Sequence, residues 1–134
     1  LKGVIISNSI NDLVKKQIET LNLGLPLQAF EQFYADDIVM YSNNNLFATG
    51  KDECRSKQAP FINPCTSIKG LVSNHCIDEE ILISVIHNQT SFEHPQMGSI
   101  QINGIHVQYW KDQKIIKELY FQGDMLQQQL DKWF

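Results

Sequence analysis

The stretch GSIQINGIHVQYWKDQKIIKELYFQ, residues 98–122, decides the fold. Its two halves, 98–110 and 114–122, are rich in β-branched and aromatic residues, which favour strands. Only Lys111-Asp112-Gln113 separates the halves, and so short a connection joins antiparallel neighbours. The stretch therefore predicts two long antiparallel strands close to the end of the sequence.

Two more strands are predicted upstream, at 67–77 and 80–93. The connections at Asp78-Glu79 and at His94-Pro95-Gln96-Met97 are again short, so the four strands form an antiparallel meander. A short hairpin is predicted earlier in the chain, where Ile38-Val39-Met40-Tyr41 is followed by the turn signal Ser42-Asn43-Asn44-Asn45.

The first half of the sequence is predominantly helical. Ser9 and Asp12 form a possible capping box for a helix over 9–23, whose apolar residues recur at helical spacing up to Gly24. Pro26 suits the first turn of a second helix, which the pair Asp36-Asp37 is expected to end. Shorter helices are predicted at 51–59 and after Asp124. Helices followed by a meander indicate an α+β fold.

Length and composition limit the class of protein. The sequence has 134 residues, which suits a single domain over 1–134. Hydrophobic residues make up 43% and charged residues 19%, a composition typical of globular chains rather than disordered ones. The net charge is -4, and the 11 basic residues are scattered. We therefore expect neither nucleic acid nor a membrane surface as a partner.

The cysteines indicate a reducing compartment. Cys54, Cys65 and Cys76 are odd in number and lack the close pairs of zinc sites, so we expect structural thiols and a cytoplasmic protein. No pattern with metal-ligand spacing or nucleotide-binding glycines is present, and neither a metal nor a cofactor is expected. No apolar run is long enough to span a bilayer, and no secretory signal is visible at the amino-terminal end.

Three strings, in this order along the chain, resemble the nuclear transport factor 2-like superfamily, in particular its SnoaL-like and ketosteroid-isomerase-like branch. They are Phe33-Tyr34-Ala35-Asp36-Asp37-Ile38-Val39, Ala48-Thr49-Gly50-Lys51 and Tyr109-Trp110-Lys111-Asp112-Gln113-Lys114-Ile115. The resemblance implies a cone-shaped α+β fold, in which a curved antiparallel sheet wraps around the N-terminal helices and leaves a pocket between sheet and helices. This superfamily includes isomerases, cyclases, dehydratases, epoxide hydrolases and proteins without catalytic activity, so the fold does not fix the function.

The catalytic residues of ketosteroid isomerase do not carry over to this sequence. The resemblance places its general base at Ser42, its oxyanion-hole tyrosine at Ile18 and its protonated acid at Ile105. Proton abstraction beside a ketone by that set of residues is therefore excluded. The positions that correspond to the acids of SnoaL-like cyclases are His106, Glu118 and Tyr120, of which only Glu118 is an acid.

The alternation of side chains along a strand predicts which residues face the pocket. If Ser42 faces the pocket, as the resemblance implies, two strands contribute every second residue. These residues are Ile81, Ile83, Val85, His87, Gln89 and Ser91 on one strand, and Ile116, Glu118, Tyr120 and Gln122 on the last. An apolar floor and a polar mouth result, as a small-molecule pocket requires. The candidate ligand-binding residues are Ser42, Gln89, Tyr109, Tyr120 and Gln122.

His87 and Glu118 are the catalytic candidates. One strand lies between theirs, so they would face each other at roughly 9–10 Å as an acid/base couple. Enclosure would raise the pKa of Glu118 unless a cationic partner offsets the burial. The structural alternatives are a satisfied core histidine at His87, a surface position for Glu118, and large core or rim residues at Tyr109 and Tyr120.

These residues predict a small-molecule-binding SnoaL-like protein. It would be a cofactor-free isomerase, dehydratase or cyclase that moves a proton on an apolar, oxygen-bearing compound. The alternative is a non-catalytic ligand-binding or assembly module of the same fold. An enzyme needs His87 or Glu118 in the cavity, whereas a binding module can fill the cavity with apolar side chains.

Association into a homodimer is also expected, through the convex face of the sheet. The residues expected on that face are Leu82, Ile86, Phe92, Trp110, Leu119 and Phe121, with His106 and Lys117 among them or at the rim. In water they would form a larger apolar patch than a monomer normally exposes, and a two-fold axis would let the patch cover its own copy. If the strand phase is off by one residue, they belong to the core instead.

Overall fold

The computed structural model describes residues 9–134. Its helices are α1 (Ile10–Asn22), α2 (Pro26–Phe33), α3 (Lys51–Ile62) and α4 (Leu126–Trp133), with a 3₁₀ turn at Gly123–Met125 before the last. Its strands are β1 (Tyr34–Ser42), β2 (Asn45–Thr49), β3 (Ser67–Lys69), β4 (Val72–Asp78), β5 (Ile83–Asn88), β6 (Ser91–His94), β7 (Gly98–Gln101), β8 (Gly104–Lys111) and β9 (Lys114–Gln122). The expectation about a secretory signal falls on residues 1–8, which lie outside the described part.

The first two helices form where the sequence predicts them. The Ser9 hydroxyl caps α1 by accepting a hydrogen bond from the backbone N–H of Asp12 at 3.3 Å. Pro26 occupies the first turn of α2. The pair Asp36-Asp37 does not end this helix, because α2 stops at Phe33 and both acids lie exposed within β1.

The strands form one large curved sheet and one small sheet. The six-stranded sheet has the order β2-β1-β9-β8-β5-β4, and β3, β6 and β7 form the other. Strand β1 is parallel to β9, so the expected antiparallel sheet is in fact mixed. The long strands predicted at 80–93 and 98–110 are each divided, into β5 and β6 and into β7 and β8, which lets the chain pass between the two sheets.

A β-bulge sets the register of the central strands. Trp110 pairs with Ile115, but the preceding Tyr109 pairs with Lys117, so Ile116 is an extra residue in β9. An extra residue shifts every later pair by one position and thereby reverses the faces that two strands share. Beyond the bulge, Glu118 and Tyr120 point to the same side of the sheet as the even-numbered residues of β8.

The concave face of the sheet packs against α1, α2 and α3. The expected outward positions of Ile86, Phe92 and Trp110 are wrong: Trp110 and Ile86 belong to this inner core, and Phe92 is buried. The bulge explains the error for β8 and β5. It turns the even-numbered residues of β8 inward, and the even-numbered residues of β5 point the same way because they pair with them.

Helix α4 covers part of the convex face of the sheet, over β8 and β9. Val85, Ile105, Val107 and Phe121 form a second buried cluster there, against which Leu126, Leu130 and Trp133 pack. Leu119 and Phe121 do face this side, as expected; Phe121 is buried and Leu119 is half-buried. The homodimer stays a prediction, but the apolar face on which it was based is smaller, because Ile86, Phe92 and Trp110 are buried elsewhere. None of the helices in residues 9–134 is long and apolar enough to cross a membrane.

Candidate active site

Three cross-strand rows of side chains line the concave face of β1, β9, β8 and β5. The inner row is Met40, Glu118, Gln108 and Ser84; the middle row is Ser42, Tyr120, His106 and Ile86; the outer row is Gln122, Gly104 and Asn88. Residues two apart on a strand share a face, so all three rows point toward the helices.

A cavity of about 380 Å³ lies between these rows and the helices. Its size falls in the range of small-molecule pockets, which is roughly 300–1,000 Å³. Helices α1, α2 and α3 contribute mostly apolar walls, including Leu21, Ala29, Phe30 and Ile62. The polar residues that line it lie mainly on the sheet and include Ser42, Asn88, Thr90, His106, Glu118, Tyr120 and Gln122.

Four of the predicted site residues line this cavity, namely Ser42, Glu118, Tyr120 and Gln122. His87, Gln89 and Tyr109 are not among its lining residues. Because the bulge reverses the phase of β8 and β5, Ile86 and Asn88 face the cavity in place of His87 and Gln89.

Two of these three residues, His87 and Tyr109, have side-chain partners elsewhere. His87 Nε2 lies 2.7 Å from Asn103 Oδ1, and Tyr109 packs on the convex side with Lys117 Nζ 5.1 Å from its ring centre. The prediction that His87 faces Glu118 across the cavity is therefore wrong.

Glu118 is buried in a set of hydrogen-bond donors. Its Oε2 accepts hydrogen bonds from the Tyr34 hydroxyl and, at 2.9 Å, from Gln108 Nε2. Its Oε1 lies 3.3 Å from His106 Nδ1. The Glu118 side chain is 2% exposed and that of His106 is 18% exposed, so the imidazole is the member of the pair that the cavity can reach.

Glu118 is held in its ionised form. Burial raises the pKa of this carboxyl, but the interaction with His106 and the hydrogen bonds from Tyr34 and Gln108 outweigh it, and the net pKa lies below the ordinary value. The partner that offsets the burial is thus His106, together with these two donors. A buried carboxylate with three donors around it is satisfied in the way that buried charges require.

This ionised carboxylate is expected to make the folded chain sensitive to acid. Because the pKa of Glu118 is lowered from 4.5, its stabilising contribution is complete above pH 4.5 and is lost as the pH falls through the folded-state pKa. Urea unfolding of the wild-type chain and of Glu118→Gln, at neutral pH and below pH 4.5, measures this contribution. The wild-type free energy of unfolding should fall more steeply with acid, and parallel curves would contradict the lowered pKa.

His106 stands between the carboxylate and the cavity. Its ring lies 4.6 Å from that of Tyr120, at an angle of 45°. Its Nδ1 faces Glu118, while Nε2 lies 3.4 Å from Asn88 Nδ2. One ring nitrogen is therefore directed at an anion and the other at the cavity wall, the arrangement by which a carboxylate orients an imidazole for proton transfer.

Two hydroxyl groups beside this pair stay protonated. Burial and the charge of Glu118 raise the pKa of Tyr120 to about 12. Burial, followed by the charge of Glu118 and the hydrogen bond to it, raises the pKa of Tyr34 well above its ordinary value. Tyr34 is committed to the carboxylate. The Tyr120 hydroxyl lines the cavity and donates to Gln122 Oε1 at 3.3 Å, a long hydrogen bond that a ligand oxygen can replace.

Sequence reasoning missed most of the residues around Glu118. His106 was placed on the convex face, and Tyr34 was used only as a marker of the fold. The available signal was the string of polar side chains at every second position of β8, His106 and Gln108, in a strand that is otherwise apolar. Within residues 9–134, no three His, Cys, Asp or Glu side chains are grouped so that they could hold a metal ion.

The fold is similar to that of several solved structures. A candidate SnoaL-like polyketide cyclase from Mesorhizobium loti superposes with a TM-score of 0.69 at 19% identity, over 84% of this chain and 98% of that one. An NTF2-like protein of unknown function from Burkholderia pseudomallei gives 0.65 at 10% identity, over 87% and 92%. An uncharacterised cystatin-fold protein from Novosphingobium aromaticivorans gives 0.67 at 11%, over 85% and 98%.

No protein-family model and no curated protein matches the sequence. At sequence identities below 20%, structural similarity shows a shared fold but does not show the activity. The resemblance on which the sequence analysis relied is confirmed at this level: the chain has the nuclear transport factor 2-like fold, in the form shared by SnoaL-like and ketosteroid-isomerase-like proteins.

Proposed function

We propose that the protein binds a small apolar molecule with a carbonyl or hydroxyl oxygen and moves a proton on it, as a cofactor-free isomerase, dehydratase or cyclase. The single observation that supports this is the buried Glu118 carboxylate beside His106, whose ring lines an otherwise largely apolar cavity. A binding module needs no such pair, and a buried charge is costly to retain without a role.

In this proposal His106 is the catalytic residue. Its Nε2 takes a proton from a carbon next to the ligand carbonyl: the C–H bond breaks, an N–H bond forms, and the electron pair moves onto the carbonyl oxygen. The Tyr120 hydroxyl, which keeps its proton and lies opposite His106 on the neighbouring strand, can donate a hydrogen bond to that oxygen. Return of the proton to another carbon completes an isomerisation.

Glu118 acts as a positioning residue. Its side chain is 2% exposed, against 18% for His106, and one of its oxygens already accepts two hydrogen bonds, so the imidazole is the more accessible of the two groups. Its charge stabilises the imidazolium that forms when His106 takes a proton. The role first expected of His87 therefore passes to His106, and that of Glu118 changes from proton transfer to support.

Deuterium exchange tests the proposed proton transfer without knowledge of the natural substrate. The wild-type protein is incubated in D₂O with 2-tetralone, an apolar ketone with acidic α-protons, and deuterium incorporation is followed by mass spectrometry. Exchange faster than in buffer, and inhibited by the competing ligand 2-naphthol, is the expected result. Binding of 2-tetralone, measured by saturation-transfer NMR, with exchange no faster than in buffer would contradict catalysis and favour the non-catalytic binding module.

A further inference from the structure

A directional chain of hydrogen bonds leads from Trp110 to Glu118. The indole Nε1–H of Trp110 can only donate, and it donates to Ser84 Oγ at 2.8 Å. Ser84 then directs its own hydrogen to Gln108 Oε1, also at 2.8 Å. Ser84 and Gln108 are fully buried, so water does not offer either group another partner.

The amide of Gln108 has only one orientation in this chain. Its oxygen accepts hydrogen bonds from Ser84 and, at 3.0 Å, from Gln17 Nε2. Its nitrogen therefore points the other way and donates to Gln17 Oε1 at 2.7 Å and to Glu118 Oε2 at 2.9 Å. Since an amide group has its donor and acceptor on opposite atoms, the donor from Ser84 at one end and the carboxylate acceptor at the other require the same orientation of Gln108.

The carboxylate transmits this orientation to His106. With Oε2 occupied by two donors, Oε1 remains for the imidazole. Within residues 9–134 the Nδ1 atom has no aligned hydrogen-bond partner, and Oε1 at 3.3 Å is the acceptor beside it. If Nδ1 carried no proton, its lone pair would point at the anionic Oε1 of Glu118. If Nδ1 carries the proton, a positive hydrogen points at that oxygen, and this tautomer is the favoured one.

A second, independent chain acts on the other ring nitrogen. Asn88 Oδ1 accepts hydrogen bonds from both the backbone N–H, at 3.1 Å, and the hydroxyl of Thr90. The amide nitrogen of Asn88 must then face His106 Nε2, at 3.4 Å. An N–H group directed at Nε2 favours a lone pair on that atom.

We propose that Trp110, through Ser84, Gln108 and Glu118, fixes His106 as the Nδ1–H tautomer, so that its Nε2 is the proton acceptor on the cavity side. Trp110, Ser84 and Gln108 are thus positioning residues for a group that they do not touch. Which atom of His106 serves as the base rests on the proposed function, but the tautomer itself exists without a ligand.

Long-range ¹H–¹⁵N NMR of the neutral ring tests the tautomer directly. In the wild-type chain, the His106 spectrum should show a protonated Nδ1 and an unprotonated Nε2. In Ser84→Ala the Nε2 resonance should shift toward the protonated position, because the Gln108 amide loses the donor that orients it. Trp110→Phe should give a shift in the same direction, and Ser84→Thr, which keeps the hydroxyl, should restore the wild-type spectrum.

His87 is an internal control in every spectrum, since it points to the opposite face of the sheet, where its Nε2 lies against Asn103. Ser99→Ala is the matched control variant, because it removes a strand hydroxyl of the other sheet that donates to the exposed Glu93. An Nε2–H tautomer in the wild-type chain, or an unchanged His106 spectrum in both Ser84→Ala and Trp110→Phe, would overturn the inference. An Nδ1–H tautomer without deuterium exchange would instead reject the proposed function and leave this inference standing.

Discussion

Replacement of His106 by glutamine is expected to slow deuterium exchange into 2-tetralone by about 10²–10⁴-fold, which is the usual contribution of a general base. Glutamine has a similar size and still offers an oxygen or a nitrogen to Glu118 and Asn88, so the fold should be kept. It has no nitrogen that takes up a proton near neutral pH, and that loss alone removes the proposed step. Exchange rates measured by mass spectrometry at equal protein concentration give the ratio.

The matched control is His87→Gln, which makes the same substitution one strand position away from the cavity row. Its exchange rate should equal that of the wild-type chain. If His106→Gln keeps the wild-type rate, the proton is moved by another group and the proposed role of His106 is wrong. If only His87→Gln loses activity, His87 is the proton-transfer residue and the proposed role of His106 is wrong.

Glu118→Leu is expected to have the largest effect on stability, a loss of about 3–5 kcal/mol in the free energy of unfolding. The leucine removes the acceptor of the Tyr34 hydroxyl and of Gln108 Nε2, and it leaves His106 Nδ1 without its neighbour. The Tyr34 hydroxyl and Gln108 Nε2 each lose a buried acceptor, although Gln108 keeps its bond to Gln17, and this loss costs more than the added apolar contact contributes. Urea unfolding at neutral pH measures the loss.

Two variants show whether the loss comes from the unpaired donors. Glu118→Gln keeps one side-chain oxygen, so its cost should be smaller, about 1–3 kcal/mol. Glu93→Leu removes an exposed strand carboxylate and should change the free energy of unfolding by less than about 0.5 kcal/mol. A Glu118→Leu variant as stable as Glu93→Leu would contradict the hydrogen-bond set described around the carboxylate.

The local elements could be predicted because their signals lie within a few residues. The Ser9 cap and Pro26 mark the starts of two helices, and Asp112-Gln113 form the tight turn between β8 and β9. Both turn residues adopt positive φ, 51° and 67°, which suits a two-residue hairpin turn. Such features depend on neighbouring residues alone and need no knowledge of the rest of the chain.

The faces of the central strands could not be predicted, because one residue decides them. With the turn at Asp112-Gln113 and no bulge, His106 would lie opposite Leu119 and away from Tyr120. Ile116 adds one position, and His106 then lies opposite Tyr120 on the cavity side. Both alternating sets of β5 contain apolar residues, for example Val85 and Ile86, so hydrophobicity does not reveal the phase of that strand either.

The partners of Glu118 were equally hidden, since they come from distant segments. Gln17 lies on α1, Tyr34 at the start of β1 and Ser84 on β5. In the sequence each is an ordinary polar residue. Only the fold brings Tyr34 to the carboxylate of Glu118, and Gln17 and Ser84 to its partner Gln108. The burial of Glu118, in contrast, could be inferred from the apolar residues around it in β9, and the cavity does lie beside it.

From the parallel pairing of β1 with β9 we expect a definite order of folding. The β1–β2 hairpin and the β8–β9 hairpin each form from residues close together along the chain, whereas Tyr34 and Glu118 are 84 residues apart. Closing so long a loop costs chain entropy before any stabilising contact forms. Pairing of the two hairpins through β1 and β9 is therefore the slow step. Before the two hairpins meet, Glu118 has no Tyr34 hydroxyl beside it. The hydrogen bond from Tyr34 to Glu118 therefore forms only when β1 has paired with β9.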